Sequence, residues 1–141
     1  MARRLCGMHA CEFHPKGLAA IAWTWAKLAK KNMALMDQIA SHTCVILGKD
    51  GKDPFGSREL AGILWSFACF ALYHEPLLDA LANSLCHGYI VQSSTRDLAT
   101  FAWSLARVRY RDQPVFGMIS RHSLKQLSKR LATPMDLANL A

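Results

Sequence analysis

The sequence predicts an all-α fold, an α-solenoid of helical hairpins, from three observations. First, one pattern recurs: Leu18-Ala-Ala-Ile-Ala-Trp23-Thr-Trp-Ala26, Leu60-Ala-Gly-Ile-Leu-Trp65-Ser-Phe-Ala68 and Leu98-Ala-Thr-Phe-Ala-Trp103-Ser-Leu-Ala106. The interval from Leu18 to Leu60 is longer than that from Leu60 to Leu98, and Leu137-Ala-Asn-Leu-Ala141 opens a fourth copy. Second, Ile39, Leu81 and Ile119 stand at one constant offset beyond Trp23, Trp65 and Trp103. Spacing within a repeat is therefore fixed, while spacing between repeats varies. A rigid helical pair joined by a variable loop has this property. Third, the apolar residues follow the helical period.

The first helix of each repeat is expected over about 15–29, 57–71 and 95–108. Leu18, Ile21, Ala22 and Trp25 fall at the i, i+3, i+4, i+7 spacing of one helical face, as do Leu60, Ile63, Leu64 and Phe67, and Leu98, Phe101, Ala102 and Leu105. Ser57 and Thr95 are placed to cap these helices, with Glu59 and Asp97 in the first turn. The second helix is expected to begin near Met33, Glu75 and Gln113; Pro76 and Pro114 suit a helix start. The small residues Ala19, Ala22 and Ala26, and their equivalents, let helices approach closely. The recurrent Trp23, Trp65 and Trp103 are expected to fill the core between repeats. The loop from Gly48 to Pro54 takes up the extra length between repeats one and two.

Residues 1–12 read as an N-terminal extension and 13–141 as one solenoid domain. Its repeats span approximately 13–53, 54–92 and 93–132, with a partial fourth at 133–141 that reads as a frayed cap or the start of a longer array. One hairpin cannot bury its apolar face alone, so stacking supplies the core.

Composition narrows the function classes. The chain is 52% hydrophobic and 19% charged, a globular balance. No run approaches the roughly 18–20 apolar residues of a membrane span. The five cysteines are odd in number and form no CxxC pair, which argues for reduced thiols in a core rather than a disulfide framework. Net charge is +7, which favours an anionic partner. The charge is uneven: +4 over residues 1–53, −2 over 54–95 and +5 over 96–141.

Catalytic and metal-binding readings find little support. His42 and His122 share a repeat column with Ser84 between them, which points to a common helix-surface position rather than an acid–base pair. Cys6, His9, Cys11 and His14 fit no zinc-ligand spacing. Gly48-Lys-Asp-Gly-Lys52 lacks the full phosphate-loop pattern and reads as a turn. The expectation is a non-enzymatic protein without cofactor or metal.

The thrice-repeated Leu-Ala-x-x-Ala-Trp-x-x-Ala helix, with Leu64 at the fifth position of the second copy, resembles the octotricopeptide family. It is similar to the FAST-kinase-like and RAP-associated Leu-rich repeats, and to the repeats of RNA-editing substrate-binding complexes. The resemblance covers about residues 13–141. It implies an α-solenoid that binds single-stranded organellar RNA, in the mitochondrial matrix or chloroplast, and acts in its processing, stability, editing or translation. Family members often end in a nuclease-like RAP domain, and these 141 residues hold no such module. The alternative it leaves is a protein-interaction scaffold, or a structural subunit beside others in a mitochondrial ribonucleoprotein or ribosome. No targeting signal is evident; Met-Ala-Arg-Arg-Leu is too short to count as one.

On that reading, a stripe at offsets i, i+4, i+8 and i+11 of the first helices is expected to face RNA. It comprises Lys16, Ala20, Thr24 and Lys27, then Arg58, Gly62, Ser66 and Cys69, then Arg96, Thr100, Ser104 and Arg107. Lys16, Arg58 and Arg96, with Lys27 and Arg107, would track phosphates, while Thr24, Ser66 and Ser104 would meet base edges. Arg109, Arg111, Arg121, Lys125, Lys129 and Arg130 form with Arg107 a second basic group, and Tyr110 among them is expected to stack on a base.

Overall fold

A computed structural model describes residues 14–48 and 55–131. Every regular element among them is helical. Six helices form three hairpins: α1 (Pro15–Lys27) with α2 (Met33–Leu47), α3 (Ser57–Cys69) with α4 (Glu75–Ser84), and α5 (Thr95–Arg107) with α6 (Gln113–Leu131). A π-helical turn, Leu85–Tyr89, and a last α-turn, Ile90–Gln92, extend α4. Gly88 in that turn has φ of 150°, a backbone setting that favours glycine, and the helix kinks there.

Five of the six helices start at a side chain that caps them, and α3 starts after Gly56, whose extended backbone serves without one. The first helices follow His14, Gly56 and Ser94, so the caps of the second and third sit just before the Ser57 and Thr95 expected in that role. Ser94 closes a capping box: its Oγ accepts from Asp97 N at 3.1 Å, and Asp97 Oδ2 accepts from Ser94 N at 3.2 Å. The second helices follow Asn32, His74 and Asp112. Asn32 Oδ1 accepts from Leu35 N, His74 Nδ1 from Leu77 N and Asp112 Oδ1 from Val115 N. Three different side chains thus perform one task at one repeat position.

The first helices stop slightly short of the expected ends because the chain turns left-handed. Ala29, Ala71 and Arg109 have φ of 52°, 51° and 60°. Just after each, an amide bonds back to the helix: Lys30 N to Trp25 O, Leu72 N to Phe67 O and Tyr110 N to Leu105 O. The left-handed residue's own amide reaches Ala26 O, Ala68 O and Ala106 O. This is a Schellman stop, made three times without glycine. It accounts for the fixed spacing between Trp and the second helix.

The hairpins stack in register. α1 packs on α3 and α3 on α5, while α2 packs on α4 and the end of α4 on α6. Leu18, Leu60 and Leu98, and Ile39, Leu81 and Ile119, are all buried in one continuous core. A polar joint ties the second hairpin to the third. Ser57 Oγ lies 2.7 Å from Ser93 Oγ and donates to Asp97 Oδ2 at 3.3 Å. Gln126 of α6 accepts from Thr95 Oγ1 and donates to Ser93 O. Among the described residues, no helix is long and apolar enough to cross a membrane.

Candidate nucleic-acid interface

The outward face of α1, α3 and α5 is set by helical geometry. At about 100° per residue, positions i+4, i+7 and i+11 lie within roughly 40° of i, whereas i+8 lies about 80° round the helix from it. The exposed stripe therefore carries the tryptophan and not the hydroxyl that follows it. It reads Lys16, Ala20, Trp23 and Lys27 on α1, then Arg58, Gly62, Trp65 and Cys69 on α3, then Arg96, Thr100, Trp103 and Arg107 on α5.

Two expectations change accordingly. Trp23 and Trp103 are 49% and 48% exposed, and Trp65 is half-buried, so this column is not core. Ser66 and Ser104 are fully buried and cannot meet base edges. Ser66 Oγ donates to Gly62 O at 2.7 Å, and Ser104 Oγ has no hydrogen-bond partner among the described residues. Thr24, in the same column, is exposed and donates to Ala20 O. The difference is neighbourhood: α3 and α5 each have a preceding first helix against them, and α1 has none among the described residues.

Lys16, Arg58 and Arg96 are exposed at the start of their stripes, and Lys27 and Arg107 are exposed at the ends. Lys27 Nζ lies 5.3 Å from the Trp23 ring centroid and 5.5 Å from that of Trp65. It is a cation held between two rings on neighbouring helices. Cys69 occupies the equivalent position one helix on. Burial raises its thiol pKa, and the positive charges of Lys27 and Arg107 offset part of that rise, so all three side chains share one neighbourhood. A Cβ added at Gly62 would meet nothing within 4 Å, so the helix surface beside Trp65 is open.

Thr100 is half-buried and donates to Arg96 O. Tyr110 is half-buried as well, and its hydroxyl donates to Asp79 Oδ1 of α4 at 2.7 Å. Burial raises its pKa first, and the Asp79 hydrogen bond and the charges of Asp79 and Asp112 raise it further. The side chain is a strut between hairpins in an acidic setting, which corrects the expectation of a stacking platform. Arg111 is exposed between α5 and α6, outside the stripe. Among the described residues, no group of three or more His, Cys, Asp or Glu could hold a metal. Cys6, His9 and Cys11, and the fourth copy at Leu137–Ala141, lie outside the described residues; His14 accepts from Lys16 N at the start of α1.

The size and apolarity of the Trp column hide its exposure in the sequence. A signal is nevertheless present: Trp25 continues the buried i, i+3, i+4, i+7 face, and Trp23 does not. No protein-family model matches the chain, and no curated protein shows significant sequence similarity to it.

Proposed function

We propose that this chain is an RNA-binding α-solenoid of an organelle, mitochondrial matrix or chloroplast, that acts without catalysis of its own in RNA processing, stability, editing or translation. The solenoid reading rests on the successive packing of first helix on first helix. The binding reading is carried by one observation: each first helix turns outward a stripe that opens with a cation, Lys16, Arg58 or Arg96. Three cations repeated along parallel helices match a repeating anion, and the phosphodiester chain of a nucleic acid is such an anion. The triple variant Lys16→Glu, Arg58→Glu and Arg96→Glu tests it. Binding to a single-stranded RNA should weaken, and the slope of log affinity against log salt should flatten by about 2, at roughly 0.7 per phosphate contact. Unchanged affinity and slope would remove these residues from the interface.

A second reading, a protein-interaction scaffold or structural subunit of a ribonucleoprotein, is favoured by the far edge of the third hairpin. Ala99, Ala106 and Leu127 are exposed there, while the corresponding Ala61, Ala68 and Tyr89 of the second hairpin are buried. Salt-insensitive association with a protein through this edge supports that reading.

A further inference from the structure

We propose that the step between Trp65 and Trp103 is a stacking slot for one unpaired nucleobase of a single-stranded RNA, flanked by Lys27 and Arg107; this rests on the RNA-binding reading above. Lys27 makes cation–ring contacts with both Trp23 and Trp65, and its Nζ fills the step between them. At the next step the equivalent residue is Cys69, too short to span two rings. Its surroundings still carry the positive charges of Lys27 and Arg107. Trp103 is 48% exposed, an unusual state for the largest apolar side chain on a helix whose other large apolar residues, Leu98, Phe101 and Leu105, are fully buried. At Gly62, one turn before Trp65, an added Cβ would meet nothing within 4 Å, so no side chain covers the helix there.

The spacing selects the strand type. Packed helices lie about 8–10 Å apart, and stacked nucleotides rise only about 3.4 Å. A strand running across the first helices must unstack to place a base at this step. A duplex keeps its bases paired inside and offers only phosphates. Aromatic rings with cations beside them are the features of a sequence-tolerant single-strand platform.

Fluorescence anisotropy of the full chain with a labelled oligouridylate, and with a blunt RNA duplex of equal length, tests the slot. The expected result is binding to the single strand at least about ten-fold tighter than to the duplex. Trp103→Leu should lose about ten-fold or more on the single strand with its salt slope unchanged, and Trp103→Phe should retain most of the affinity. Thermal melting of both variants checks that each is folded, as the exposure of Trp103 leads one to expect. Equal binding of strand and duplex overturns the slot. So does a folded Trp103→Leu that binds as tightly as the parent. If that happens while the triple Glu variant still loses its salt slope, the RNA reading stands and the slot alone falls. If the unmodified chain binds neither RNA, the RNA reading fails and the slot with it. If Trp103→Leu instead abolishes binding to a protein partner while RNA is not bound, the face is a protein-docking surface and the slot is overturned.

Discussion

The central first helix, α3, and its two neighbours, α1 and α5, carry nearly the same sequence pattern and differ in what covers them. On α3, Ser66, Ala61 and Ala68 are buried, because a first helix packs on either side. On α1 the edge column is exposed at Thr24, and on α5 the opposite edge is exposed at Ala99 and Ala106. One pattern therefore encodes three surfaces. The Leu–Ile–Phe face makes each hairpin's core, the two small-residue edges are buried where a first helix packs on them, and the third face carries the cations and the Trp column. The small residues are buried where a first helix packs on them, whereas the opening cations Lys16, Arg58 and Arg96 are exposed on all three helices and the Trp column is half-buried only at Trp65 of the central one.

The largest effect that tests this contrast lies in the core column of Trp25, Phe67 and Leu105. Phe67 is 1% exposed in the central helix, and Trp25 is half-buried in the first. Phe67→Ala should cost about 3–5 kcal/mol, a transfer loss plus a cavity, and Trp25→Ala should cost less despite the larger side chain removed. Urea denaturation of the two variants checks the order. A Trp25→Ala variant less stable than Phe67→Ala would show that the central hairpin does not dominate the core.

The edge columns give the next largest difference. Ser66→Leu enlarges a side chain on the buried edge of α3 and should cost about 1–3 kcal/mol. Thr24→Leu, at the same repeat position on an exposed edge, should change stability by no more than about 0.5 kcal/mol. Equal costs at the two sites would mean that neighbours do not set the edge, and the stacking of α1 on α3 would need revision.

Hairpin boundaries and core columns are legible in the sequence because they are local or periodic. Second-helix starts at Met33, Glu75 and Gln113 follow from turn chemistry and proline, and Leu18, Leu60 and Leu98 from the helical period. The first-helix caps are harder to place, since Ser57 and Thr95 look like caps in isolation while Gly56 and Ser94 hold the extended backbone. The kink at Gly88 has no local signature that separates it from an ordinary helical glycine. Within the candidate site, the cations are legible and their companions are not. Ser66 and Ser104 take the place of Trp65 and Trp103 only when i+8 is treated as in line with i, and when any large aromatic is expected to be buried. Which edge of a helix is covered depends on a neighbour in the adjoining repeat, and only packing decides it.

The smallest predicted effect is the control for the whole comparison, because it should not depend on neighbours. Ala29, Ala71 and Arg109 are exposed in all three hairpins and hold the same left-handed backbone. A side chain in that region costs about 1–2 kcal/mol, and glycine removes the clash at an entropic cost of roughly 0.4–1 kcal/mol in the unfolded chain. Ala29→Gly, Ala71→Gly and Arg109→Gly should each therefore stabilise the protein by about 0.5–1 kcal/mol, a rise in melting temperature of a few degrees. Successive sites stand about one helix spacing apart, roughly 8–10 Å, with exposed side chains, so the three gains should nearly add. Calorimetry of the single and triple variants measures both points. Equal gains at the terminal and central sites would identify the turn as an autonomous feature of each repeat, with neighbour-dependence confined to the edges. A gain at Ala71 alone would show that the end hairpins leave the left-handed turn in solution, and that stacking on both sides is what holds it.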